Sequence, residues 1–302
     1  MDVLTDALVA MRTGGPQSSL RRLSSPWSLY FPPVKGAGFH VVLQGSCWLI
    51  PPDGSSLRLG PGDVAFLHRG RGHGLADDPT APLAAIRTRD APADTTAATA
   101  TVTLLCGSYQ LEQRRPHPLL RDLPDVLHLP AKVGRHPALR TTVDLLGSEL
   151  DTARPGTEAV VPALVDILLF YILRTWIDEQ PELDGGWPAA LTTPGIATAL
   201  EAMHTEPARQ WTVEELGRRA GMSRAAFARR FATLVGEPPL TYLTRWRLQR
   251  SAHLLRRSDE PLHVISERVG YTSSFAFAKA FKRTYGIAPG RYRKDVAEQL
   301  PP

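Results

Sequence analysis

Residues Gly270–Arg293 read GYTSSFAFAKAFKRTYGIAPGRYR, and residues Gly221–Arg245 read GMSRAAFARRFATLVGEPPLTYLTR. The two stretches say nearly the same thing. Ser223 corresponds to Ser273, Phe227 to Phe277, Phe231 to Phe281, Gly236 to Gly286, Pro239 to Pro289 and Tyr242 to Tyr292. In the first copy, Thr212 and Glu215 have the spacing of a capping box at the start of a helix. Val213, Leu216 and Ala220 form its inward stripe, and Gly221 ends it. Ser223 then caps a second helix that turns Phe227, Phe231 and Leu234 inward. The second copy buries Val264, Ile265 and Val269, turns at Gly270, and caps with Ser273 a helix that buries Phe277 and Phe281. Two short helices joined at a tight glycine turn make a helix-turn-helix. The offset between copies is 49 residues at Gly221 and Gly270 but 50 at Ser223 and Ser273, so the second turn is one residue longer.

Between the copies, Pro239–Arg257 has helical periodicity, with Leu243, Trp246, Arg250 and Leu254 on one side and Leu248, Ala252 and Leu255 on another. A helix there holds two recognition helices at a fixed separation. They can then enter successive major grooves, about 34 Å apart, and read one asymmetric site. With the phenylalanines buried, Arg224, Ala225, Ala228 and Arg229 face outward in the first recognition helix, and Ser274, Phe275, Ala278 and Lys279 in the second. Arg224 and Arg229 suit guanine edges, and the alanines suit thymine methyls. Phe275 suits a methyl or sugar, and Arg230, Lys282, Arg283 and Arg291 suit phosphates. The capping serines Ser223 and Ser273 complete the candidate DNA-binding set.

Charge agrees with this reading. The chain of 302 residues carries a formal net charge of +5. From Trp187 onward there are 18 Lys and Arg against 10 Asp and Glu, and before it 17 against 20. Only the second part is expected to meet a polyanion. Residues 187–302 are therefore expected to bind DNA on their own. Two cysteines do not make a disulfide framework. The N-terminal MDVLTDALVAM lacks a signal-peptide pattern, and its Leu4, Leu8 and Met11 fit one face of a short helix. The apolar run VVPALVDILLFYILRTWI is interrupted by Pro162, Asp166 and Arg174 and reads as a core or dimer-forming helix rather than a membrane span. A cytoplasmic protein without membrane association is expected.

The first part has short β-rich runs: WSLYF, FHVVLQ, SCWLI, LRL, DVAFL, LAAIRT and TVTLLCGSYQL, with turns at PPDG and GPGD. APADTTAATAT reads as a loop. Leu139, Val143, Leu146 and Leu150 begin a helical segment at 138–180, and acidic, Pro- and Gly-containing DEQPELDGGWP marks a domain boundary. The expected fold is multidomain α+β. A β-barrel with a helical segment (1–180) precedes an all-α domain with two helix-turn-helix motifs (187–302).

The pieces WTVEELGRRAGMSRAAFARRF, VGEPPLTYL, WRLQRSAHLL, ISERVGYTSSFAFAKAF and YGIAPGRYR resemble, in order and spacing, the DNA-binding domain of AraC/XylS-family transcriptional regulators. FHVVLQGSCWL and LGPGDVAFLHRGRGHGL resemble the two motifs of a cupin, over roughly Ser24–Pro130, in the subgroup attached to such regulators. The resemblance implies promoter DNA and RNA polymerase as partners, dimerisation through the 138–180 helices, and a sensor for a small ligand or an oxidant. Its candidate residues are His40, His73 and Cys106. His68, beside Arg69 and Arg71, reads as solvated. The subgroup's oxidant response pairs a cysteine in the Cys106 strand with one upstream, and Met1–Phe39 contains none. Cys47 is the substitute. No cofactor is expected: a metal-holding cupin usually supplies two closely spaced histidines and a glutamate from its first motif, whereas this one offers only His40, so a metal on His40, His73 and Cys106 is the weaker alternative to a polar pocket. Two other readings stay open: a metal-dependent cupin enzyme tethered to DNA, and an architectural DNA-binding protein that senses nothing.

Overall fold

A computed structural model describes residues 2–80, 101–112, 117–131, 135–152, 154–180 and 185–297. The chain divides into two compact units. One comprises Gly14–Leu111 and Leu123–Glu179. The other comprises Met1–Thr13, Glu112–Asp122 and Gln180–Pro302.

The first unit is sheet-rich. Strands β1 (Gln17–Leu23), β3 (Ala37–Gln44), β6 (Val64–Leu67), β8 (Val102–Tyr109) and β9 (Leu127–Leu129) form an antiparallel sheet in the order β1-β8-β3-β6-β9. Strands β2 (Ser28–Phe31), β4 (Cys47–Ile50), β5 (Leu57–Leu59) and β7 (His73–Ala76) form a second, in the order β2-β7-β4-β5. Val42, Ala65, Leu104 and Cys106 of the first sheet bury against Cys47, Leu49, Leu59 and Leu75 of the second. The expected barrel is thus two facing sheets, not closed by hydrogen bonds into a ring among the described residues. The expected strand LAAIRT and most of the loop APADTTAATAT lie outside the described residues.

The GPGD turn has a structural task. Gly62 takes φ +84°, and the Asp63 carboxylate accepts hydrogen bonds from the backbone N–H groups of Gly60 (2.9 Å) and Ala131 (2.8 Å). His128 of β9 lies 3.0 Å from the same carboxylate. One side chain therefore closes the turn before β6 and ties down the far edge of its sheet. Helices α3 (Pro137–Asp151) and α4 (Thr157–Asp178) pack on each other and against β1, and the Tyr109 hydroxyl donates to the Val165 carbonyl at 2.7 Å. By length and composition α4 could cross a bilayer. Here it buries Val165, Leu168, Leu169, Ile172 and Trp176 inside the protein.

The second unit is helical. It contains α1 (Val3–Met11), the short α2 (Pro118–Arg121), α5 (Gly186–Thr192), α6 (Pro194–Thr205), α7 (Val213–Arg219), α8 (Arg224–Val235), α9 (Pro239–Arg257), α10 (Leu262–Arg268), α11 (Ser274–Tyr285) and α12 (Pro289–Ala297). The helix α9 has two buried faces. Tyr242 and Trp246 join a core with Phe231 and Trp187, while Leu248, Ala252 and Leu255 join one with Ile265, Phe277, Phe281 and Tyr285.

The expected boundary differs from this division. Met1–Thr13 and Glu112–Asp122, read as parts of the 1–180 domain, pack with the helical unit. The reason is the stripe on α1. Leu4, Leu8 and Met11 are buried, and α1 lies on α6 and α9. Asp6 reaches His204 of α6 (3.4 Å), and Arg256 of α9 donates to the Ala10 carbonyl (2.9 Å). Leu8→Ala is therefore expected to destabilise the helical unit by about 2–5 kcal/mol, the range for an unrelaxed core cavity. Chemical denaturation followed by helical circular dichroism measures it. A change below about 0.5 kcal/mol would mean that α1 is not part of this core.

Candidate nucleic-acid interface and sensor pocket

The two helix-turn-helix units are built alike. Helices α7 and α10 have 7 residues each, and α8 and α11 have 12 each. The Thr212–Glu215 capping box forms in full at the start of α7. Ser223 accepts from the Ala226 N–H and Ser273 from the Ala276 N–H, so both recognition helices start at a serine. Both end at a left-handed glycine, Gly236 and Gly286. The offset is 49 residues between α7 and α10 and 50 between α8 and α11, so the extra residue falls in the second turn.

Phe227, Phe231, Phe277 and Phe281 are fully buried. Ser223, Arg224, Ala225, Arg229 and Arg230 of the first motif are exposed, as are Ser273, Ser274, Phe275, Lys279, Lys282 and Arg283 of the second. Arg291 on α12 is exposed too, and Ala228 and Ala278 are half-buried at the edges of these faces. Phe275 is 78% exposed, an arrangement that water alone does not favour. Charge pairing sorts the basic residues. Arg245 is held by Glu237 (2.6 Å), Arg268 by Glu260 (2.5 Å), and Arg209 by Glu206 (3.4 Å). Among the described residues, the side chains of Arg224, Arg229, Arg230, Lys279 and Lys282 enter no ion pair. No described carboxylate pairs with them.

In the sheet-rich unit, β3 and β7 bring His40 and His73 together, with their Nε2 atoms 2.6 Å apart. Nδ1 of His73 lies 2.8 Å from the Arg71 carbonyl, which can only accept, so that nitrogen carries the proton. His73 Nε2 is then the acceptor and His40 Nε2–H the donor. This leaves His40 Nδ1 as a buried lone pair with no hydrogen-bond partner. Phe31 stacks on His73 (5.2 Å between centroids) and meets the His40 ring edge-on (4.5 Å). Burial holds both imidazoles below their usual pKa; for His40, the neighbouring His73 and the buried Arg21 add to the effect. Cys106 stands opposite His40 in the β3–β8 register. Together with His73, Ser18, Ser19, Phe31 and Val34, it lines a cavity of about 50 Å³.

The three sensor candidates thus share one region. Among the described residues, no group of three or more His, Cys, Asp or Glu side chains is placed to hold a metal ion. Burial raises the Cys106 thiol to about 12. Cys47 is also buried and raised to about 12, and both cysteines are free. His68 departs from expectation. It is buried rather than solvated, with Nδ1 3.0 Å from the Pro124 carbonyl and Nε2 accepting from Arg69. Sequence reasoning also missed Arg21. Its strand, QSSLRRL, carries no alternating apolar signal, yet β1 pairs along its whole length with β8.

Comparison with known proteins agrees with this arrangement. The Cupin family profile matches residues 2–178, and a helix-turn-helix domain profile matches residues 216–295. A putative AraC-like transcription regulator of Streptomyces antibioticus is 34% identical over 97% of this chain and 99% of its own. The chain belongs to the AraC-like transcription regulators, with a cupin-family N-terminal part. The RCS-specific HTH-type transcriptional activator RclR of Escherichia coli is 30% identical over the full length of both chains. The DNA-binding domain of AdpA, solved with a target DNA, is 33% identical over 36% of this chain and 96% of that one, with a TM-score of 0.34. This AraC-like protein is a DNA-binding transcriptional regulator rather than an enzyme.

The histidine pair gives a pH expectation. At these two sites the folded unit binds fewer protons than the unfolded chain, whose histidines titrate near about 6.5. The pair's contribution to the regulator's stability is therefore full above that pH and declines as the pH falls through it toward the depressed folded-state values. Thermal melts between pH 8 and 5 should show this decline, and the double change His40→Leu and His73→Leu should make it shallower. An unchanged slope in the double variant would show that the pair is not held neutral by burial.

Proposed function

We propose that this protein is a cytoplasmic regulator that reads a two-part promoter site with both helix-turn-helix units and answers a small ligand held in its sheet-rich unit. The observation that carries the DNA reading is the pair of matched recognition helices whose outward basic side chains enter no ion pair among the described residues. In this reading Arg224 and Arg229 of α8 meet base edges, with Ala225 and Ala228 against thymine methyls. Ser274, Phe275, Ala278 and Lys279 of α11 face the second groove. Arg230, Lys282, Arg283 and Arg291 take phosphates, joined by the capping serines Ser223 and Ser273.

The ligand reading rests on the cavity beside His73 and Cys106 and on the unpartnered His40 Nδ1. Opening the His40–His73 pair would expose polar atoms inside an apolar wall of Phe31, Pro32 and Val34, the usual make-up of a small-molecule site. An oxidant response through Cys106 is the less favoured reading, because a thiol at about 12 leaves almost no thiolate at neutral pH. Leu145 of α3 and Val160 and Ile167 of α4 are exposed apolar side chains, which supports dimerisation through these helices. The Escherichia coli relative is named a transcriptional activator, which supports contact with RNA polymerase.

Two measurements test this reading. In binding titrations, Arg229→Ala should cost about 1–3 kcal/mol on a selected specific duplex and relax preference at one or two base pairs. Lys282→Ala should weaken specific and random DNA alike and reduce the salt slope by about one. Equal losses on both DNAs for Arg229→Ala, or altered sequence preference for Lys282→Ala, would overturn the assigned faces. Separately, iodoacetamide at neutral pH should leave Cys106 unmodified in the folded protein and alkylate it after denaturation. Fast alkylation of the native chain would restore the oxidant reading.

A further inference from the structure

The linking helix α9 is not the only connection between the two helix-turn-helix units. The segment 206–211 leads directly into α7 of the first unit. It is a built loop: the Trp211 indole N–H donates to the Glu206 carbonyl at 3.0 Å, and the guanidinium groups of Arg209 and Arg219 lie 4.2 and 4.9 Å from the Trp211 ring centre. Beyond α9 in the chain, Gly270 forms the turn of the second unit. Loop and turn touch. Gln210 Nε2 donates to the Gly270 carbonyl at 2.9 Å. A Cβ built on Gly270 would lie 2.8 Å from both the Ala208 carbonyl oxygen and Arg247 Nη2, so the turn and the loop meet closer than any side chain would allow.

Arg247 locks the junction. It projects from the middle of α9, and its Nε donates to the Pro207 carbonyl (2.7 Å) while Nη2 donates to the Arg209 carbonyl (2.8 Å). Its half-buried guanidinium thus clamps two carbonyls of one loop and borders Gly270 of the other unit. No carboxylate is among these contacts. The charge of Arg247 is spent on backbone dipoles, an arrangement that fixes geometry through the planar fork.

We propose that Arg247, Gln210 and Gly270 form a cross-brace that fixes the second recognition helix relative to the first and thereby sets the half-site spacing this regulator accepts. The proposal rests on the two-part reading of DNA. Arg247 and Gln210 are positioning residues: they need not touch DNA. A helix between the units can still bend along its length, and each added base pair rotates the second half-site by about one-tenth of a turn. A braced pair of readers rejects that rotation, whereas an unbraced pair follows it at lower peak affinity. The benefit of engaging both half-sites at once depends on this geometry.

The test uses full-length protein and a duplex that the wild type selects from a random library. Three sets of variants of that duplex are needed: one or two base pairs inserted between the half-sites, the first half-site scrambled, and the second half-site scrambled. For the wild type, one inserted base pair should cost roughly tenfold or more in affinity. Arg247→Ala and Gln210→Ala should bind the original duplex several-fold more weakly and flatten the spacing penalty to about threefold or less. Affinities for duplexes with one half-site scrambled should be unchanged. Arg247→Lys keeps the charge but lacks the fork, and should behave like Arg247→Ala. Gln210 is exposed, so its replacement leaves the cores intact should Arg247→Ala fail to fold. A wild-type spacing penalty in folded Gln210→Ala and Arg247→Lys would overturn the brace. A wild type indifferent to spacing and to scrambling of either half-site would instead overturn the two-part reading beneath it.

Discussion

Tyr242 and Trp246 on one face of α9, and Leu248, Ala252 and Leu255 on the other, are buried in two different aromatic cores. Everything the DNA-binding unit does depends on this double burial. Each helix-turn-helix is too small to bury a core of its own, with a 7-residue and a 12-residue helix apiece. Each borrows a wall from the shared helix. Rotating either unit about α9 would uncover large aromatic area, so the two recognition surfaces come as a set. Buried phenylalanines also decide what lies outside. Once Phe227 and Phe231 point inward, helical periodicity leaves Arg229 on the far face, and the same argument applies to Lys279 in the second unit; Arg224 is exposed because it is the first residue of its helix.

The N-terminal helix extends this core. Asp6, His204 and Tyr242 form a buried polar chain, with His204 Nε2 2.6 Å from the Tyr242 hydroxyl and the His204 ring stacked on Trp246 at 3.9 Å. Burial keeps His204 mainly neutral against the opposing pull of Asp6. A short helix from the start of the chain thus completes the wall on which the first reader rests. In the sheet-rich unit, polar groups are likewise buried where the facing sheets meet: His40, His73 and Arg21 sit beside the apolar cluster containing Cys106. Such groups are costly unless paired, and His40 Nδ1, like Trp27 Nε1 in the same unit, is buried without a hydrogen-bond partner.

Much of the DNA-binding unit was legible in the sequence, because its signals are local and repeated. The phenylalanine spacing, the capping serines and the extra residue in the second turn all appear in the chain as they do in the fold. An outward Phe275 followed from Phe277 being inward. The remainder was hidden for physical reasons. Ala10 and Arg256 are 246 residues apart, and a three-residue stripe on α1 does not announce its partner. Strand β1 is held by backbone register with β8, which polar side chains such as Ser18 and Ser19 do not advertise. The acceptors of the Arg247 clamp are backbone carbonyls, which every sequence contains. His40 and His73 are both candidates in the sequence, but their tautomers follow only from the Arg71 carbonyl beside them.

The central claim is that one chain reads two successive grooves of one duplex. Hydroxyl-radical footprinting of the full-length protein on its selected duplex tests it most directly. The account predicts two protected patches on one face of the DNA, about one helical turn apart, with the patch nearer α11 lost when Lys279 and Lys282 are both replaced by alanine. A single patch that survives this double change would contradict it.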